Sequence, residues 1–332
     1  MLGDHSPPPM RRSVFYQSLM LIVALHSLLV WIHPLADSPR GYAADPQQVL
    51  LGYWELEEAR SWVEGRPVGV SEEYRWPLLS IPAFIIYKLC GVGIASSRVL
   101  SFLASVASIL LVAALLRRRL GRGMGLFGAF LLAFQPAWIA WVRSPLCYSW
   151  MALWLLGILA LSAGRGWRQF LGWGLLILAA LTLHPIFWLL APVLILEEWW
   201  QVSHNAPHLK GVFIIALGLG ISFLVWGAGS WGLPEYWERV KEELIIPSAR
   251  WLDYEARSRF FSAVPLLLPM AWIGMLLFLS HVFPTKGGSR ALERVLHATI
   301  WGSVALFSFF ESGPRLLPML LPLLAYQGAV TA

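Results

Sequence analysis

Unbroken apolar stretches recur along almost the whole chain, and they limit its folding choices more than any other feature. Each is roughly 16 to 22 residues long, close to the ~20 that one α-helix needs to cross the hydrocarbon core of a bilayer. Runs such as Ile109 to Leu116 and Leu175 to Leu183 do not alternate apolar with polar residues, as the ten-residue strands of a membrane barrel would. The expected fold class is therefore all-α: a polytopic membrane helix bundle rather than a single anchor.

Composition agrees. Of 332 residues, 58% are hydrophobic and 13% charged, with a mean hydropathy of +0.63, whereas a soluble domain carries about 25% charged residues. The net charge of +6 does not point to nucleic acid, because the basic residues sit in short clusters between apolar blocks instead of forming one patch. Cys90 and Cys147 are the only cysteines, too few for a disulfide framework or a zinc spacing. Arg11 and Arg12 precede the first apolar stretch as in a signal peptide, but no small-residue cleavage site follows, so the stretch is read as the first helix.

Hydropathy places ten spans at about 13–33, 97–116, 124–141, 147–163, 169–183, 186–200, 211–229, 263–283, 295–310 and 314–330. The apolar block 77–92 is ambiguous, since Pro77, Pro82 and its shortness also suit a helix at the membrane surface. Charge decides the matter. With that block interfacial, one side collects Arg11, Arg12, Arg117, Arg118, Arg119, Arg122, Arg165, Arg168, Lys210, Lys286, Arg290 and Arg294, against only Asp4, Glu197, Glu198 and Glu293. Basic residues in short loops stay cytoplasmic, so both termini are expected there, with 1–12 as a cytoplasmic tail. One integral membrane domain results, its two long outer loops at 34–97 and 230–262. Within the first loop, 47–64 reads as an amphipathic helix stopped by Gly65 and Pro67.

This layout resembles the GT-C fold glycosyltransferases that take sugars from polyprenyl phosphates, among them the protein O-mannosyltransferases and the lipid A aminoarabinose transferases. Ordered motifs carry the similarity: Tyr42-Ala43-Ala44-Asp45-Pro46 after helix one, Glu64-Gly65-Arg66-Pro67, Arg75-Trp76-Pro77-Leu78, Arg98-Val99-Leu100-Ser101 opening the next span, Arg143-Ser144-Pro145-Leu146-Cys147-Tyr148 in an outer turn, and Gly313-Pro314-Arg315-Leu316-Leu317-Pro318 late in the chain. It is firmest from Asp45 to Leu161. Three features depart from the family: Tyr148 stands where many relatives carry a second acidic residue, His184 replaces a lysine, and no large soluble domain follows the last span.

The resemblance implies inverting transfer of a sugar from a polyprenyl-phosphate donor to a hydroxyl of a glycan, lipid or protein acceptor, outside the cytoplasmic face of a bacterial inner membrane. Such chemistry needs a carboxylate to take the acceptor's proton and cations or hydrogen-bond donors to hold the departing phosphate. Asp45 is the expected base, although Asp before Pro is also good helix-capping chemistry. Glu55, Glu57 and Glu58 are a fallback whose bland alternative is a solvated helix face. Arg315 is the expected phosphate contact, with Arg143 and Arg75 less supported, and snorkelling to headgroups is the alternative for each. His184 and Tyr148 are expected to touch the donor; a hydrogen-bonded bundle histidine and an ordinary interfacial aromatic are the competing accounts. No cofactor is required, and a divalent ion at Asp45 stays open.

Two motif matches are set aside. Gly123-Met124-Gly125-Leu126-Phe127-Gly128 fits a dinucleotide fingerprint, but no strand precedes it, and helix packing through small residues explains it better. His204 and His208 have Pro207 between them and no partner ligand. Two rival functions are a non-catalytic GT-C-like scaffold subunit, motivated by the absent second carboxylate and the short C-terminus, and a transporter, which would place charges within the spans and show inverted repeats.

Overall fold

A computed structural model of the protein describes residues 10–32, 56–65, 77–143, 148–162, 167–183, 187, 190, 194 and 317–331. These are helical throughout, with no strand among them, as the apolar blocks require. Numbered along the described residues, the helices are α1 (Arg12–Ile32), α2 (Glu57–Glu64), α3 (Pro77–Cys90), α4 (Ile94–Leu120), α5 (Arg122–Ala133), α6 (Pro136–Val142), α7 (Tyr148–Ser162), α8 (Trp167–Thr182) and α9 (Leu321–Thr331). The expected spans at 211–229, 263–283 and 295–310, and the second outer loop, lie outside the described residues. Of the span at 186–200, only Phe187, Leu190 and Leu194 are described, all buried at helical spacing.

Arg12–Trp31 and Ala95–Leu120 are long and apolar enough to cross a bilayer on their own. At 1.5 Å per residue, the first reaches ~30 Å, the thickness of the hydrocarbon core. α4 is central: α5 and α7 run back along it in antiparallel fashion, and α9 packs on α4, α5 and α7. Gly121, at φ 95, makes the reversal from α4 to α5 in a conformation that a side chain would oppose, and its N–H closes α4 by bonding the Arg117 carbonyl.

Small residues set the approach of these helices, because lipid offers no hydrophobic drive for helix association. A Cβ on Gly125 would lie 2.8 Å from the Ala113 carbonyl oxygen of α4, and one on Gly128 would run into the Leu116 side chain. The glycine triplet is thus a packing surface, as its position at the start of a span suggests.

Two expected helices are broken by proline. The span predicted at 124–141 divides into α5 and α6, because Pro136 has no N–H to continue the ladder. The freed carbonyls are recovered. Phe134 N–H bonds the Phe130 carbonyl and Gln135 N–H the Leu132 carbonyl. The Ala133 carbonyl accepts from Nδ1 of His26, fully buried on α1, at 2.8 Å. A carbonyl can only accept, so Nδ1 carries the proton, and Nε2 accepts from the Ser105 hydroxyl at 2.8 Å. Ser105 in turn accepts from the Trp138 indole N–H at 2.8 Å. This chain joins α1, α4, α5 and α6 with a neutral ring, and it supplies the partners that a broken helix needs inside a membrane. Near the end of the chain, Pro322 cannot bond the Pro318 carbonyl, and Leu317–Leu320 winds as a 3-10 turn before α9.

Candidate functional site

The candidate site forms at the end of the bundle where α4 and α7 begin and α1 and α6 finish. Here α3 answers the ambiguity of block 77–92. Leu78, in its first turn, accepts through its carbonyl from the Trp150 indole N–H at the start of α7, at 3.0 Å. Near the other end of α3, the Tyr87 hydroxyl lies 2.7 Å from Ser97 Oγ in the first turn of α4. Ser97 donates its own proton to the Gly93 carbonyl, so the tyrosine donates to Ser97. α4 and α7 start at the same end of the bundle, so both ends of α3 are fastened there. The helix lies across that end and does not traverse the bundle, in keeping with the interfacial alternative.

The Leu78 bond has a cause in the sequence. An unbroken helix would give the Leu78 carbonyl the N–H of residue 82, but that residue is Pro82. Proline removes the donor and pushes the carbonyl at i−4 outward, where the Trp150 indole meets it. α2 covers α3: Trp62 meets Phe84 edge-on with centroids 6.0 Å apart, and Lys88 lies over the same Phe84 ring at 5.7 Å. The amphipathic helix expected over 47–64 is described only from Glu57, and it ends as foreseen at Gly65, whose φ of 65 makes a left-handed cap.

Of the predicted site residues, Arg143 and Tyr148 are described, and they flank the same turn. Arg143 follows α6 and donates from Nη2 to the Leu29 carbonyl, one of the last four of α1, which no intrahelical N–H can reach. A cation at a helix C-terminus also meets the negative end of the dipole. Burial lowers the Arg143 pKa somewhat from its usual value, but a guanidinium stays charged. Its Nε is buried without a hydrogen-bond partner. Tyr148 opens α7 with its ring edge-on to Trp141, centroids 5.2 Å apart and planes at 90°. The Leu317–Leu320 turn, which starts two residues after Arg315, packs against α6 and α7 beside this same turn. Asp45, Arg315, His184 and Arg75 themselves lie outside the described residues, as does Cys147; Cys90 is a free, exposed thiol.

Two buried charges were undervalued by sequence reasoning. Arg98, in the second turn of α4, is 5% exposed, with Ser97 and Ser101 also buried beside it in sequence. Glu58 is 8% exposed and not on a solvated face. The pattern of acids along 55–58 gave no signal of this, because burial is decided by α3 packing over α2. Among the described residues, no group of three His, Cys, Asp or Glu could hold a metal ion.

Membrane-length helices, a helix pair laid across one bundle end and cations gathered at that end define a GT-C type membrane fold, and the chain is an integral membrane protein of that class. Residues 77–226 match the family model of dolichyl-phosphate-mannose-protein mannosyltransferase. The fold is similar to that of ArnT from Cupriavidus metallidurans bound to undecaprenyl phosphate, with a TM-score of 0.69 and 16% identity over 94% of this chain and 59% of that one. It is also similar to the apo state of the same protein, with a TM-score of 0.62 and 17% identity over 96% and 60%. The chain thus spans about three-fifths of the length of these structures. No curated protein matches the sequence significantly. The resemblance carried by the sequence motifs is met in both the family model and the fold.

Proposed function

We propose that the protein is a membrane glycosyltransferase that moves a sugar, with inversion, from a polyprenyl-phosphate donor to an acceptor hydroxyl on the non-cytoplasmic face. The observation that carries this reading is the agreement of two independent likenesses: a mannosyltransferase family model over 77–226 and the fold of an undecaprenyl-phosphate-bound ArnT over 94% of the chain. In the proposed reaction Asp45 takes the proton of the acceptor hydroxyl as that oxygen attacks the sugar's anomeric carbon. The bond from carbon to phosphate oxygen breaks, and the negative lipid phosphate leaves toward Arg315, with Arg75, Arg143, His184 and Tyr148 as further contacts. The tie of α3 to α7 supports the arrangement, because Arg75 precedes α3 by two residues and Tyr148 precedes Trp150 by two. A water-poor membrane mouth strengthens every such electrostatic contact.

The test is sugar release from a radiolabelled polyprenyl-phosphate pool by wild type and Asp45→Asn, in matched membranes with both proteins quantified. Turnover by wild type and its loss in the folded variant support the base. A purified, folded wild type that binds no polyprenyl-phosphate sugar would sink the proposal and bring the scaffold reading forward.

A further inference from the structure

The opposite end of the bundle carries a second concentration of charge that the transfer reaction does not use. Arg11 and Arg12 stand at the start of α1, and Arg117, Arg118, Arg119 and Arg122 lie at the junction of α4 and α5. The fold brings these two segments together: Arg122 bonds the Met10 carbonyl, and Arg117 Nη1 donates to the Tyr16 hydroxyl at 2.9 Å. Tyr16 is half-exposed and flanked by two guanidiniums, Arg12 at 5.7 Å and Arg117 at 5.8 Å from its ring centroid. Like charges held around one ring repel each other. The described residues contain only three carboxylates, Glu57, Glu58 and Glu64, and all belong to α2 at the far end of the bundle. Arg12 is also at the wrong end of its own helix, where the dipole is positive and the first-turn N–H groups lack intrahelical acceptors. Each of these costs falls if an anion sits there.

The shape of the anion is given by what lies next to it. From Tyr16, the exposed face of α1 runs toward the bilayer interior through Met20, Leu21, Leu25 and Leu28, at 72%, 59%, 40% and 50% exposure. A ligand that meets the cations with its head and this stripe with its tail is amphipathic and anionic. We propose that Arg12, Tyr16 and Arg117 form a binding site for the headgroup of an anionic diacyl phospholipid, with its acyl chains along the exposed face of α1. Arg117 is held by Tyr16 and by the Phe15 ring, 5.4 Å away, so one cation is preorganised while Arg12 remains exposed to close on the phosphate. Basic clusters beside a spanning helix attract anionic lipid in general; here the stacked pair and the apolar stripe fix where it rests.

The test titrates the detergent-solubilised full chain with phosphatidylglycerol and with phosphatidylcholine and counts bound lipids by native mass spectrometry. Phosphatidylglycerol should bind roughly tenfold or more tightly, as two cationic contacts predict. Arg12→Gln should remove most of that preference, whereas Arg12→Lys, which keeps the charge, should retain it. Arg12 is exposed, so this pair does not threaten the fold; Arg117→Gln, which also breaks the Tyr16 bond, should abolish the preference. Equal affinity for the two lipids, an Arg12→Gln variant as selective as wild type, or capture of undecaprenyl phosphate with phosphatidylglycerol excluded would each overturn the proposal.

Discussion

Replacing Trp150 by Phe tests the tie that holds α3 across the bundle end. The variant keeps an aromatic ring but removes the indole N–H that reaches the Leu78 carbonyl at 3.0 Å. Pro82 cannot supply a donor, so the carbonyl is left with a partner only if water enters. Losing a neutral hydrogen bond costs about 0.5 to 1.5 kcal/mol net, and leaving a partly buried carbonyl unsatisfied costs about 1 to 3. The site is part-buried, so about 1 to 2 kcal/mol is expected, with a smaller packing loss from the reduced ring. A second background sharpens the expectation. Pro82→Ala restores an N–H at the position that an uninterrupted helix uses to bond Leu78, so Trp150→Phe should cost less than half as much there. The packing loss is common to both backgrounds and cancels in the double-mutant cycle. Denaturant unfolding of the four proteins in one detergent gives the coupling, and hydrogen exchange over Pro77–Cys90 reports whether the effect is local. Equal cost of Trp150→Phe in the parent chain and in the Pro82→Ala background would refute the account of why the indole is there.

Other consequences are equally direct. Ser105→Ala removes the hydroxyl between Trp138 and His26 and strands two buried groups, so unfolding in detergent should show a loss of about 1 to 3 kcal/mol. The glycines at the start of α5 should respond in opposite senses: Gly125→Ala meets the Ala113 carbonyl and should lower Tm, while Gly123→Ala meets nothing within 4 Å and should raise stability by up to about 1 kcal/mol. Arg143→Ala should lose the cation that caps α1, costing about 0.3 to 1 kcal/mol. If it also abolishes sugar transfer in folded protein while Arg143→Lys restores stability but not turnover, the guanidinium serves the donor as well as the helix.

The class of the protein follows from its amino-acid order alone. Apolar blocks of membrane length can satisfy their backbone only as helices, and arginines collected in short connectors sort the ends of those helices, so the all-α bundle and the placing of Arg12 at the same end as Arg117 and Arg122 were legible before any packing was known. Motif order from Asp45 onward was enough to point to the GT-C fold. Tertiary structure decided the rest. Block 77–92 is equally apolar whether it spans or lies flat, and only the ties from Trp150 to Leu78 and from Tyr87 to Ser97 fasten both of its ends to one side of the bundle. His26 reads as one polar residue in an apolar helix, yet its ring completes a proline-broken helix 107 positions away in the chain. Glu58 and Arg98 reverse the expected exposure of charged residues, because a neighbouring element covers them. Periodicity records which groups must avoid water or lipid within one segment, whereas the partner that satisfies a freed carbonyl or buries a charge comes from a distant segment, and only packing in three dimensions chooses it.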